Sequence, residues 1–234
     1  MAERPPFRYA IFDLFGTLVP EFPRSGFEEM IFEAARVLGA DEDAFMAGWY
    51  RTAHPRQTGG YAGGIAENVR VILDGMGIPT PSDAALADAL RPRDEMYRRW
   101  FVPRTGALET VEALRERGIP LGLISMCAPD TPAIWRASPF AGRFDVEVFS
   151  SEVGLRKPDP AIYRYALERL HAEPAATLYC GDGAYGELTG AEAVGMTAVE
   201  IREPELDVAE QLRPEGEDWQ GAWVPDLRDL IPWF

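Results

Sequence analysis

A chain of 234 residues, 47% apolar, can bury one sizeable core with room for a smaller appended unit. The formal net charge of −15 argues against nucleic acid or an anionic membrane surface as partner, because both reward positive potential; a small anionic substrate, which responds to local charge, stays open. No apolar run is long enough to span a bilayer, the N-terminus lacks an apolar leader, and Cys127 and Cys180 are too few for a disulfide framework, so a cytoplasmic location is the expectation.

Residues 7–12 (F-R-Y-A-I-F) read as a short strand running into D-L-F-G-T. From about 20 to 104 the pattern is helical. Ser25 with Glu28 has the spacing of a capping box, and Phe27, Ile31, Ala34 and Leu38 then share one face until Gly39. Further helices are expected to start near Asp41, Ile65 and Ser82, with Pro92 kinking or dividing the last. T-G-G-Y-A-G-G at 58–64 reads as a loop between two of them.

Beyond residue 105 strands and helices alternate. A helix from Ala107 is stopped by Gly118, strands follow at 121–125 and 145–150, and a helix runs from Pro160 to His171. A strand at 177–180, a helix at 186–194 closed by Gly195 and a strand at 196–201 complete the pattern, while the acidic E-G-E-D at 215–218 reads as a solvated loop. The fold class is therefore α/β, a doubly wound, Rossmann-like parallel-sheet core with an inserted all-α cap. The divisions are 1–19 core, 20–104 helical cap and 105–234 core.

Of the 23 basic residues only Lys157 is a lysine, in L-R-K-P-D-P. A compact ammonium on a thin stem enters a crowded anionic pocket that a planar guanidinium cannot. Asp13 ends a buried strand and is followed by Gly16 and Thr17, the place where open α/β sheets bind ligands. Here I-F-D-L-F-G-T-L resembles the first motif of the haloacid dehalogenase superfamily. Ser125 in L-I-S-M, Lys157 in R-K-P-D-P, and Gly181, Asp182 and Glu187 in C-G-D-G-A-Y-G-E-L are similar to its other three motifs, in order.

The resemblance implies roles. Asp13 is the nucleophile, and Lys157 neutralises the crowded anions and orients it. Ser125, with Met126, Gly16 and Thr17 beside it, holds the oxygens of the transferring group. Asp13, the backbone carbonyl of Phe15, Asp182 and Glu187 hold a Mg²⁺ ion, Glu187 through water or as a supporting partner. Read without the resemblance, Ser125 could simply finish a strand, and Glu187 could be an acid favoured at a helix N-terminus.

Phe15 departs from the phosphatase pattern, which places a second acid at this position to protonate the leaving oxygen, assistance worth about 10²–10⁴-fold. Either the leaving group departs unprotonated, or the cap supplies a substitute such as His54, or the substrate is not a phosphate. The third option is the 2-haloacid dehalogenase branch, whose first motif has an aromatic residue here but which lacks an acid like Asp182. A catalytically impaired binding protein is the non-enzymatic alternative. The reading is a Mg²⁺-dependent phosphatase of a small anionic organic phosphate. Its specificity is expected from cap residues Arg51, Arg56, Tyr61 and the 58–64 loop, and its oligomeric state is not legible.

Overall fold

The computed structural model describes residues 7–202 and 216–234. Six strands form one sheet: β1 (Tyr9–Phe12), β2 (Leu121–Ser125), β3 (Val146–Phe149), β4 (Thr177–Gly181), β5 (Thr197–Ile201) and β6 (Ala222–Val224). Every neighbouring pair is parallel, in the order β3-β2-β1-β4-β5-β6. The chain steps outward from β1 to β3, then returns to β4 on the other edge of β1. That reversal makes the β1–β4 seam the switch point, where a crevice opens beyond the strand ends. Among the described residues no helix is long and apolar enough to cross a membrane.

Strand alternation divides the apolar side chains between two faces. Ala10, Phe12, Leu123 and Cys180 lie on one face with Val111 and Leu114 of the helix Ala107–Glu116 and Trp135 of Thr131–Arg136. Ile11, Ile124 and Tyr179 lie on the other with Ile162 and Tyr163 of Pro160–Arg169 and Leu188 of Glu187–Ala193. Central strands β2 and β4 are buried throughout, as a sheet covered on both faces requires.

The segment between β1 and Ala107 holds five helices: α1 (Arg24–Val37), α2 (Glu42–Arg51), α3 (Ala53–Gln57), α4 (Gly64–Gly75) and α5 (Asp83–Trp100). The later helices are α6 (Ala107–Glu116), α7 (Thr131–Arg136), α8 (Ser150–Val153), α9 (Pro160–Arg169) and α10 (Glu187–Ala193). Asp41 and Ser82 cap α2 and α5, their side chains accepting from Ala44 N at 2.9 Å and Ala85 N at 3.2 Å. Helix α1 packs against α5 and α2, and its buried Met30 and Ile31 join a cluster that continues through Phe22 into Leu14 and Phe12 of the sheet. The helical layer and one face of the sheet thus share a core.

Four local expectations are corrected. Helix α1 begins at Arg24 with Pro23 as its N-cap, without a side-chain cap bond, so Ser25 already sits in the first turn and is not the N-cap that a capping box requires. Pro92 does not divide α5, which continues through it to Trp100. Helix α7 and the three-residue β6 lie where no element was expected. Within E-G-E-D, Glu215 lies outside the described residues, but Glu217 is no idle surface acid. Its carboxylate accepts from Leu188 N at 2.7 Å and Thr189 N at 3.1 Å, satisfying donors that the first turn of α10 leaves unpaired.

Candidate active site

Four loops leaving the carboxyl ends of the strands converge at the switch point. β1 delivers Asp13, whose backbone N–H donates to Cys180 O at 2.9 Å and so ties it to β4. β4 delivers Asp182, β2 ends on Ser125, and Lys157 enters from the loop before α9. Glu187 opens α10.

Lys157 is the hub. Only 1% exposed, it donates through Nζ to Asp13 Oδ1 at 2.5 Å and to Glu187 Oε2 at 2.5 Å. Glu187 also accepts from Tyr179 OH at 2.6 Å and from Gly183 N at 3.0 Å, so three donors position it. The two carboxylates hold the ammonium charged, lifting Lys157 above the ordinary lysine range against the cost of burial. Burial first, then Glu187, raises Asp13 from 3.8 to about 7, with Lys157 opposing. Two glycines make room here. Gly16, at φ +77°, would drive a β-carbon to 2.5 Å from Asp182 Oδ2, and a β-carbon on Gly181 would enter the Glu187 carboxylate.

Asp13, Asp182 and Glu187 each present an oxygen within 4.8 Å of the others. Three buried carboxyl groups within reach of one another make a place that a divalent cation suits. The side chains offered are all oxygen donors, suited to a hard ion such as Mg²⁺. Asp182 Oδ1 accepts from Ala184 N at 2.9 Å, which fixes its rotamer.

Ser125 and Thr17 are fully buried, and neither hydroxyl has a hydrogen-bond partner. Such orphans are rare and point to a group that completes them. Met126, beside Ser125, accepts from Lys157 N through its sulfur at 3.3 Å.

A cavity of about 450 Å³ opens from Asp13 and Met126 of the core toward the helical layer. Phe15 forms part of its wall. The ring lies 5.2 Å from Phe22, 5.9 Å from Phe101 and 6.2 Å from Tyr97, so the position where a second acid was sought joins an aromatic seam between core and cap. Arg51, His54 and Arg56 line the cavity as expected; Tyr61 and the rest of the 58–64 loop do not.

Sequence reasoning missed several lining residues. Glu21, half-buried after the first motif, accepts from Phe22 N at 2.8 Å. Burial first, then the field of Asp182, holds its carboxyl well above the usual range. Arg93 of α5 grips Asp130, just after β2, at 2.7 and 2.9 Å and donates to Tyr97 OH at 2.8 Å. Gln57 donates to Tyr185 OH at 2.9 Å, and Tyr185 carries a left-handed backbone at φ +57°, uncommon for a non-glycine residue. Only the acid spacing after Asp13 could have signalled any of these, through Glu21.

A family model described as haloacid dehalogenase-like hydrolase matches residues 7–195. Protein CbbY of Rhodobacter capsulatus is 30% identical over 93% of this chain and 92% of its own length. Ribulose-1,5-bisphosphate 5-phosphatase of Halopiger xanaduensis is 29% identical over 81% and 82%. Haloacid dehalogenase-like hydrolase domain-containing protein 3 of Bos taurus is 30% identical over 62% of this chain, and the match spans 59% of that relative and 46% of its Mus musculus counterpart, so the chain spans about half the length of these mammalian proteins. Among solved structures, a HAD phosphatase from Thermococcus onnurineus superposes with a TM-score of 0.64 at 21% identity, covering 96% of both chains. The L-2-haloacid dehalogenase RSc1362 superposes at 0.59 and 20% identity, covering 98% of this chain and 99% of that one, a likeness of fold. With the motif residues assembled at the switch point of the sheet, the chain belongs to the haloacid dehalogenase-like hydrolase family.

Proposed function

We propose that this hydrolase is a Mg²⁺-dependent phosphatase of a small organic phosphate, with residues 20–104 as its cap and residues 1–19 and 105–234 as its core. The observation that carries the reading is the buried cluster of Asp13, Asp182 and Glu187, whose carboxylate oxygens lie within 4.8 Å of one another at the switch point, with Lys157 bonded to two of them. Asp13, Asp182 and the Phe15 carbonyl would hold the ion, with Glu187 reaching it through water. Bound there, Mg²⁺ would offset charge on the phosphoryl oxygens.

Asp13 is anchored to Lys157 through Oδ1, which leaves its other oxygen to attack phosphorus. The bond from that oxygen to phosphorus forms as the bond to the leaving oxygen breaks, and the leaving oxygen keeps the electron pair. Water then attacks the aspartyl-phosphate, releasing inorganic phosphate and restoring the carboxylate. The orphaned hydroxyls of Ser125 and Thr17, with backbone N–H groups at Met126 and Gly16, would donate to the phosphoryl oxygens. Phe15 carries no proton, so a poor leaving group must take one from another side chain of the cavity wall, of which Glu21 and His54 are the first candidates. The buried, unpaired thiols Cys127 and Cys180 fit a reducing, cytoplasmic setting.

A 2-haloacid dehalogenase reading draws on the aromatic Phe15, and names of relatives supply both activities. One experiment decides. A panel of alkyl, aryl and acyl phosphates and 2-haloacids is followed for phosphate and halide release, with and without EDTA. Phosphate release that EDTA abolishes is expected. Halide release indifferent to EDTA would overturn the reading.

A further inference from the structure

Two arginines, Arg56 and Arg93, line the cavity wall from the buried part of the cap, and their situations differ. Arg93 is fully occupied, both Asp130 oxygens accepting from it. Arg56 is 6% exposed and stacks 4.1 Å from the Trp49 ring centroid. Its Nη1 donates to Trp49 O at 2.9 Å, Asn68 Oδ1 at 2.9 Å and Thr52 Oγ1 at 3.3 Å. Among the described residues no carboxylate pairs with it, and Nε and Nη2 donate to no group. Neither nitrogen is fully buried, whereas the Nε atoms of Arg104 and Arg156 are.

A buried cation without an anion is costly, and proteins place one where a ligand supplies the missing charge. Burial and the neighbouring Arg93 lower Arg56 to about 10, which leaves it cationic at neutral pH. The Nη1 contacts and the indole fix the plane of the guanidinium, so little freedom remains to be lost when the Nε–Nη2 edge meets a two-oxygen acceptor. We propose that the Nε–Nη2 edge of Arg56 is a subsite for a second anionic group on the substrate, a carboxylate or a second phosphate. The substrate is then a phosphomonoester that also carries an acid. This inference rests on the phosphatase reading only for the identity of the first group.

The test uses matched ligand pairs on Asp13→Asn protein, where turnover is blocked. Phosphoglycolate is compared with ethyl phosphate, which has a methyl in place of the carboxylate, and 1,3-propanediol bisphosphate with propyl phosphate. Calorimetric titration should show one acid-bearing member binding about 10- to 100-fold tighter than its partner, the scale of a charge-assisted bidentate contact. Which member does so separates carboxylate from phosphate. Adding Arg56→Gln should reduce that preference to within about threefold. The ratio is internal to each protein, so a partly folded variant lowers both affinities alike. Equal affinity within both pairs, no measurable binding of any member, or a preference that survives Arg56→Gln would overturn the subsite. Phosphate release from the same four esters by the native protein tests the phosphatase reading separately.

Discussion

Replacing Lys157 by methionine keeps a stem of similar length and removes the ammonium. Asp13 and Glu187, each 2.5 Å from Nζ, then face one another in the core with no cation between them. Removing one partner of a buried ion pair costs about 3–5 kcal/mol, because the remaining charge is left uncompensated. For a chain of this size that corresponds to a midpoint lower by roughly 6–20 °C. The cause can be separated from lost packing by pH. Without the ammonium, which opposes the upward shift of Asp13, that carboxyl holds its proton to a still higher pH than in the native protein. Native and variant proteins then both keep that proton below about pH 7, so the deficit should open as pH rises from about 7 toward about 9. Lys157→Arg keeps the charge and should cost only about 1–3 kcal/mol from overpacking, with little pH dependence. It should nonetheless lose activity, since a planar fork cannot set one nitrogen between the two acids. Thermal unfolding of EDTA-treated protein across that pH range, followed by circular dichroism, measures both variants. A methionine variant within about 1 kcal/mol of native at about pH 9, or a deficit identical at both ends of that range, refutes the account.

Asp13→Asn should lower turnover by at least about 10³-fold while the far-ultraviolet spectrum stays native; residual activity above that level removes Asp13 as nucleophile. The raised Asp13 carboxyl stabilises the metal-free fold fully below its ordinary value of 3.8 and loses that contribution as pH rises through about 7. Because metal binding displaces the proton, the gain in melting temperature from millimolar Mg²⁺ should be larger at about pH 8 than at about pH 6, and a pH-independent gain would show that Asp13 is not a ligand. If Glu21 supplies the leaving-group proton, Glu21→Gln should slow alkyl phosphate hydrolysis about 10²-fold and aryl phosphate hydrolysis far less; equal losses in initial-rate assays would count against it. Phe15→Asp should not create an efficient acid, because the ring it removes holds Phe22, Tyr97 and Phe101; a loss of about 3 kcal/mol in chemical denaturation is expected.

The meeting point of the motif residues was legible in the chain because each is placed by its own neighbours. Asp13, Ser125 and Asp182 follow short apolar runs that must be buried strands, and a parallel sheet brings strand ends to one edge. Lys157 stood out as the sole lysine, and its burial between two acids gives that exception a physical cause. Two of the helices between β1 and Ala107 were legible as well, since Asp41 and Ser82 carry N-capping chemistry within four residues of what they bond. Packing between distant segments decided the rest. Arg93 meets Asp130 across 37 positions and Gln57 meets Tyr185 across 128, spacings no local pattern encodes. Arg51 and Arg56 looked equivalent in the sequence, yet folding exposes one and buries the other without an acid. Whether a charge is solvated, paired or left waiting depends on which elements close around it, and only the tertiary structure settles that.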